Sequence, residues 1–177
     1  IYCDFFSTTQ SEKKSAYVHA LCQELEMRRD YLGEEEVETI YLGGGTPSQL
    51  THEELESIFT YIYKVYRVTP DAEITLEANP DDLTPSYIAM LRQLPINRIS
   101  LGIQTFHEDT LKLLNRRHTA RQAIEAFQQC REAGFRNISI DLMYGLPGET
   151  QEMWESDLQQ AIALHPEHIS DYHLIYE

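Results

Sequence analysis

The stretch VETIYLGGGTP, Val37 to Pro47, decides how the rest of the chain is read. Val37 to Leu42 is a short run rich in β-branched and aromatic residues, which predicts a strand. It runs directly into Gly43, Gly44 and Gly45, then Thr46 and Pro47. A helix is predicted next, because Thr51 and Glu54 stand at the spacing of a capping box. Glycines between a strand and a helix let backbone amides approach a bound polar group with no Cβ in the way. The same glycines would also make a plain tight turn. No lysine follows, so this is not a Walker loop, and Ser48 stands where a dinucleotide fingerprint needs glycine.

Working outward, the strand–turn–helix rhythm repeats. Before the glycines, Ser11 to Leu32 carries Ala16, Val18, Leu21, Cys22, Leu25 and Leu32 at helical spacing and ends at Gly33. After them, strand Glu73 to Ala78 leads to a helix opened by Thr84 and Pro85. Strand Arg98 to Ile103 leads to two helical stretches, the second opened by Thr119 with Gln122 and closed by Gly134. Strand Asn137 to Leu142 is followed by GLPGET and a helix over Glu152 to Leu164, and a last strand is predicted over His168 to Leu174. Strands alternating with helices predict right-handed βα units on a parallel sheet, open and doubly wound or rolled into a barrel. The strand-end residues Gly43, Glu77, Gln104 and Asp141 lie 34, 27 and 37 residues apart, each interval one βα unit of roughly 30 residues. Parallel strands deliver their carboxyl ends to one face, so these positions should converge on one mouth. A chain of 177 residues is short of the ~250 typical of an eight-stranded barrel. The expectation is therefore an α/β fold of the (β/α)6 partial TIM-type barrel kind, its first strand lying before Ile1.

Composition narrows the function. Fourteen Lys and Arg against 29 Asp and Glu give a formal charge of −15, which argues against a nucleic-acid or anionic-membrane surface. At this length about 70% of the unfolded surface can be hidden, and 42% of residues are hydrophobic, so a folded core is expected. No apolar run approaches the roughly 20 residues that span a bilayer, and IYCDFFSTTQ lacks the features of a signal peptide. A soluble, cytoplasmic protein is expected. Cys3, Cys22 and Cys130 are odd in number, which argues against a disulfide framework; Cys22 and Cys130 read as small core residues on helices.

Several polar residues could carry chemistry. Glu77, in EANP, could accept hydrogen bonds from an ammonium or hydroxyl group at the mouth, or pair structurally with Arg98. Gln104 has the donor and acceptor used to recognise ribose or amino acids, or could simply brace its loop. Arg116, Arg117, His118 and Arg121 are a basic cluster at the approach to a helix N-terminus, where cations oppose the helix dipole. A carboxylate-bearing ligand would compensate them, although a solvated turn is the simpler account of Arg117 and Arg121. Asp141 sits among apolar residues and needs a partner, either a ligand hydroxyl or an arginine.

Taken in order, YCDFFS, YLGGGTPS, LEANPDDL, NRISLGIQTF, LNRRHT, SIDLMYGLPGET and HISDYHLIYE resemble the radical S-adenosylmethionine proteins of the oxygen-independent coproporphyrinogen III oxidase type. The resemblance covers essentially the whole chain and implies that residues 1–177 form the core domain of a longer protein with a further C-terminal domain. It implies a 4Fe-4S cluster held by C-x3-C-x2-C, with Cys3 as the third ligand and the other two cysteines before Ile1. It also implies S-adenosylmethionine, contacted by Gly44, Gly45 and Thr46 of the glycine turn and by Glu77, Gln104, Arg116 and Asp141. Arg117, His118 and Arg121 receive no role from it. The oxidases of this type carry a fourth cysteine two residues after the third, where this chain has Phe5. CDF instead resembles the oxidase-like branch described as heme chaperones, for which heme or porphyrin would be cargo and a heme-acceptor protein and a reductant protein would be partners. The alternative implied by the same resemblance is an oxidase, or another enzyme that generates a 5′-deoxyadenosyl radical.

Overall fold

The computed structural model describes residues 11–175. Its elements are α1 (Lys14–Met27), β1 (Val37–Leu42), α2 (His52–Val65), β2 (Val68–Ala78), α3 (Pro85–Leu91), β3 (Arg98–Gln104), α4 (Glu108–Leu113), α5 (Ala120–Glu132), β4 (Asn137–Tyr144), α6 (Gln151–Ala163) and β5 (His168–His173). The five strands pair in parallel in the order β1-β2-β3-β4-β5. Spatial order that follows chain order leaves no point where the winding reverses, so the open doubly wound alternative is excluded. Right-handed crossovers that all step the same way keep the helices on one face. The sheet accordingly curls into a half-barrel.

The residues explain the two faces. Ile40, Ile74, Leu76, Ala78, Ile99, Leu101, Ile103, Ile138, Ile140 and Leu142 alternate along the strands and are buried together in one core with the helices. In α2, Leu55, Ile58, Phe59 and Ile62 are buried at i, i+3, i+4 and i+7, as are Ala123, Ala126, Phe127 and Cys130 in α5. Each large side chain in these stripes contributes roughly 1.5–3 kcal/mol on burial. Both helices start with the predicted capping boxes, Thr51 with Glu54 and Thr119 with Gln122. The intervening strand residues are polar: Thr75, Ser100 and Ser139 are buried on the other face, flanked by Glu73, Glu77, Arg98, Asn137 and Asp141. An ordinary closed barrel fills that interior with branched apolar residues. Here it is lined for polar contacts.

Two boundaries differ from expectation by more than two residues. The first helix stops at Met27, and residues 28–34 continue as turns, because the chain has left the core: Met27 and Tyr31 are 85% and 76% exposed. Strand β2 starts at Val68 and includes Pro70, a residue that signals a strand's end. The β1–β2 ladder slips there, Val37 pairing with Val68 but Thr39 with Glu73, so the proline occupies the bulge.

Candidate functional site

The glycine turn, Glu77, Gln104 and Asp141 do meet at the carboxyl ends of β1 to β4. The Gly44 amide donates to Glu77 Oε2 at 3.1 Å, and the Tyr41 hydroxyl donates to Oε1 at 2.9 Å. Gly44 and Gly45 have φ of +71° and +54°, and a Cβ built on either would meet nothing within 4 Å. These two glycines are therefore required by backbone conformation and face open space. Gly43 is required by contact, since a Cβ there would lie 2.7 Å from the Tyr41 ring and 3.0 Å from Glu77 Oε1. Thr46 precedes the short turn Pro47–Gln49 without capping it through its side chain.

On β3 the chain bulges: Gly102 pairs with Asp141 but Gln104 with Leu142. Gln104 takes φ +73°, a conformation that costs a non-glycine residue of order 1 kcal/mol or more. The Gln104 amide nitrogen and an Arg116 nitrogen lie 3.1 and 3.5 Å from where a Gly102 Cβ would stand, so this glycine opens the gap they share. Arg116 donates to Asn79 Oδ1 at 2.7 Å and to the Gly102 carbonyl at 2.6 Å, which carries it across the mouth from the loop before α5. Glu77 does not pair with Arg98. That arginine lies a layer deeper, 3.9 Å from Glu73 and donating to Thr75 Oγ1 at 3.2 Å.

Asp141 finds its partner in Ser100, whose hydroxyl lies 3.1 and 3.0 Å from the two carboxyl oxygens. Burial still pushes its pKa above the usual carboxylate range; Ser100 opposes the shift and the Glu77 charge adds to it. A carboxyl whose folded pKa is raised loses stability as pH rises through that range. Asp141→Asn is therefore expected to leave Tm unchanged or raise it by about 0 to 3 °C at pH 7, read by thermal unfolding. A clear fall would count against an electrostatic cost at this position.

The remaining basic residues have partners within the fold. Arg117 pairs with Asp81 at 2.7 Å and Asp82 at 3.1 Å, and Arg121 pairs with Glu125 along α5. His118 is 2% exposed with Nε2 3.2 Å from the Ile103 carbonyl. Asp82 also accepts from Ser48 Oγ at 2.7 Å, so one carboxylate ties the glycine-turn loop to the loop that carries Arg116. Tyr41, Asn79, Ser100 and Gly102 were not singled out in the sequence. Only Gly102 carried a signal, as a glycine inside a strand.

Among the described residues no group of three His, Cys, Asp or Glu could hold a metal ion. Cys22 and Cys130 are buried residues of α1 and α5, and burial pushes the Cys130 thiol up to about 12. Cys3 lies outside the described residues.

A parallel half-barrel with a glycine turn and polar side chains at its mouth defines a class, and the chain belongs to it: the Radical SAM superfamily matches residues 1–161. The chain is 40% identical over 178 residues to the heme chaperone HemW of Bacillus subtilis (strain 168), a match covering 99% of this chain and 47% of that protein. It is 37% identical over 178 residues to the heme chaperone HemW of Escherichia coli (strain K12), with the same coverage of 99% and 47%. Among solved structures, the coproporphyrinogen III oxidase HemN from Escherichia coli superposes with a TM-score of 0.90 at 29% identity, over 100% of this chain and 41% of that one. The archaeal Elp3 of Methanocaldococcus infernus shares the fold, with a TM-score of 0.73 at 18% identity over 91% of this chain and 43% of that one. The chain spans about half the length of the curated relatives it matches.

Membership implies a 4Fe-4S cluster and S-adenosylmethionine. The mouth fits the amino-acid end of the latter. Two glycines in left-handed conformation border open space, carboxyl groups face it from β2 and β4, and a guanidinium crosses it. Among the described residues no group of three donors fits the cluster, and Cys3 lies outside them.

Proposed function

We propose that this chain is the cofactor-binding core of a cytoplasmic heme chaperone. In this reading Gly44, Gly45 and Thr46 receive the methionine part of S-adenosylmethionine. Glu77 and Asp141 accept from its ammonium and hydroxyl groups, Gln104 hydrogen-bonds the ligand, and Arg116 meets its carboxylate. Cys3 is one of three thiolate ligands of the cluster. When bound, the two cofactors supply one-electron chemistry that no side chain here supplies. The protein's part is to orient the ligand and to hold its charged groups.

The observation that carries the chaperone reading is that relatives aligned over 99% of this chain are named heme chaperones. Phe5, where oxidases of this type carry a fourth cysteine, supports it. No helix among the described residues is long and apolar enough to cross a membrane. Heme would be cargo, received with a reductant protein and released to an acceptor protein. The full-length protein, reconstituted anaerobically with iron and sulfide, is expected to bind hemin, read as a shifted Soret band, and to leave coproporphyrinogen III unchanged. Decarboxylation of coproporphyrinogen III, with stoichiometric 5′-deoxyadenosine, would overturn the chaperone reading in favour of the oxidase.

A further inference from the structure

We infer that Tyr41 is a positioning residue, which holds the Glu77 carboxylate in the orientation that receives the ligand's ammonium group; the inference rests on the assignment of Glu77 above. Tyr41 and Glu77 lie on neighbouring strands with side chains on the same polar face, one register step apart: Tyr41 pairs with Thr75, and Glu77 follows two residues later. The phenol donates to Oε1 at 2.9 Å while the Gly44 amide donates to Oε2 at 3.1 Å. A carboxylate has about four lone-pair sites, so two fixed donors set its plane and still leave acceptor positions for a cation. Held only by the Gly44 amide, the carboxylate could rotate about its last bond and would have to be ordered at each binding event.

The surroundings of the ring fit this role. A Cβ on Gly43 would strike the Tyr41 ring at 2.7 Å, so the first glycine of the turn is what gives the ring its place. Partial burial and the hydrogen bond to Glu77 push the phenol up to about 12, so it keeps its proton and remains a donor at physiological pH. Strand β1 thus serves the site through its own side chain as well as through the turn that follows it.

The test is calorimetric titration of the full-length, cluster-loaded protein with S-adenosylmethionine and, separately, with 5′-methylthioadenosine, which lacks the ammonium group. Tyr41→Phe is expected to weaken S-adenosylmethionine binding about tenfold, to leave methylthioadenosine binding and Tm unchanged, and to have no further effect when combined with Glu77→Gln. Gly43→Ala, which crowds the same ring, is expected to weaken the same ligand selectively and guards against misfolding of a single variant. If Glu77→Gln weakens binding and Tyr41→Phe does not, the inference fails while the role of Glu77 stands. If neither substitution matters, both fail. A Tyr41→Phe effect that persists beside Glu77→Gln, or that extends to methylthioadenosine, makes Tyr41 a packing residue and overturns the inference.

Discussion

Asp157→Ala is expected to cost about 3–5 kcal/mol of stability, a large share of the roughly 5–15 kcal/mol that holds a domain of this kind together. Asp157, in the middle of α6, has no exposed surface. It accepts from Thr105 Oγ1 at 2.6 Å and from the Phe106 amide at 2.8 Å, with His107 Nε2 at 3.5 Å. Alanine would strand a buried hydroxyl and a buried amide, each worth about 1–3 kcal/mol when left unpaired. Those residues follow Gln104 directly, whose left-handed backbone must be held from outside. Asp157 is therefore the pin that keeps the end of β3 bent toward the mouth. Asparagine can still accept from the Phe106 amide, so Asp157→Asn should lose about half as much. Urea unfolding of the three proteins is the measurement; a Asp157→Ala variant within 1 kcal/mol of the parent would show that the bend is held elsewhere.

Asp157 also marks where the sequence stopped being readable. The strands and helix starts were legible because each has a local cause: β-branched runs, glycines at turns, and Thr51, Thr84 and Thr119 at N-caps. The four stations at the mouth were legible because parallel topology sends strand ends to one side. What stayed hidden depends on contacts between distant segments. Asp157 reads as one more polar residue on a helix, and nothing nearby says that the segment after β3 will present two donors to it. Tyr41 reads as an ordinary strand aromatic until β2 places Glu77 beside it. The choice left open for Arg117 and Arg121, a ligand or a solvated turn, was hidden in the same way, since their partners Asp81, Asp82 and Glu125 are set by the fold. The polar inner face of the sheet was similarly obscured. Thr75, Ser100 and Ser139 suit a strand on either side, and only the register shows that they share one.

The second large effect concerns acid. His118 lies between β3 and the loop after β2, with Nε2 donating to the Ile103 carbonyl and Nδ1 without a donor, 3.8 Å from Asp81 Oδ1. Burial, helped by the Arg116 charge, pushes its pKa down to about 4; the Ile103 carbonyl, Asp81 and Glu108 pull the other way without prevailing. The unfolded chain, with histidine near 6.5, takes up this proton first, so acid favours unfolding. The stability this neutral imidazole protects is present in full above about pH 6.5 and is lost as pH falls toward 4, a total of about 3 kcal/mol. In a protein of this length that is a fall of roughly 6–12 °C in Tm. His118→Gln can keep the bond to Ile103 and cannot titrate, so its Tm should fall less steeply across that window, and parallel curves for the two proteins would refute the assignment. Protonation would also draw the ring toward Asp81, which Arg117 already holds. The loop bearing Arg116 is therefore expected to loosen at acid pH before the core does, giving an S-adenosylmethionine affinity that declines more steeply toward pH 4 in the parent than in His118→Gln.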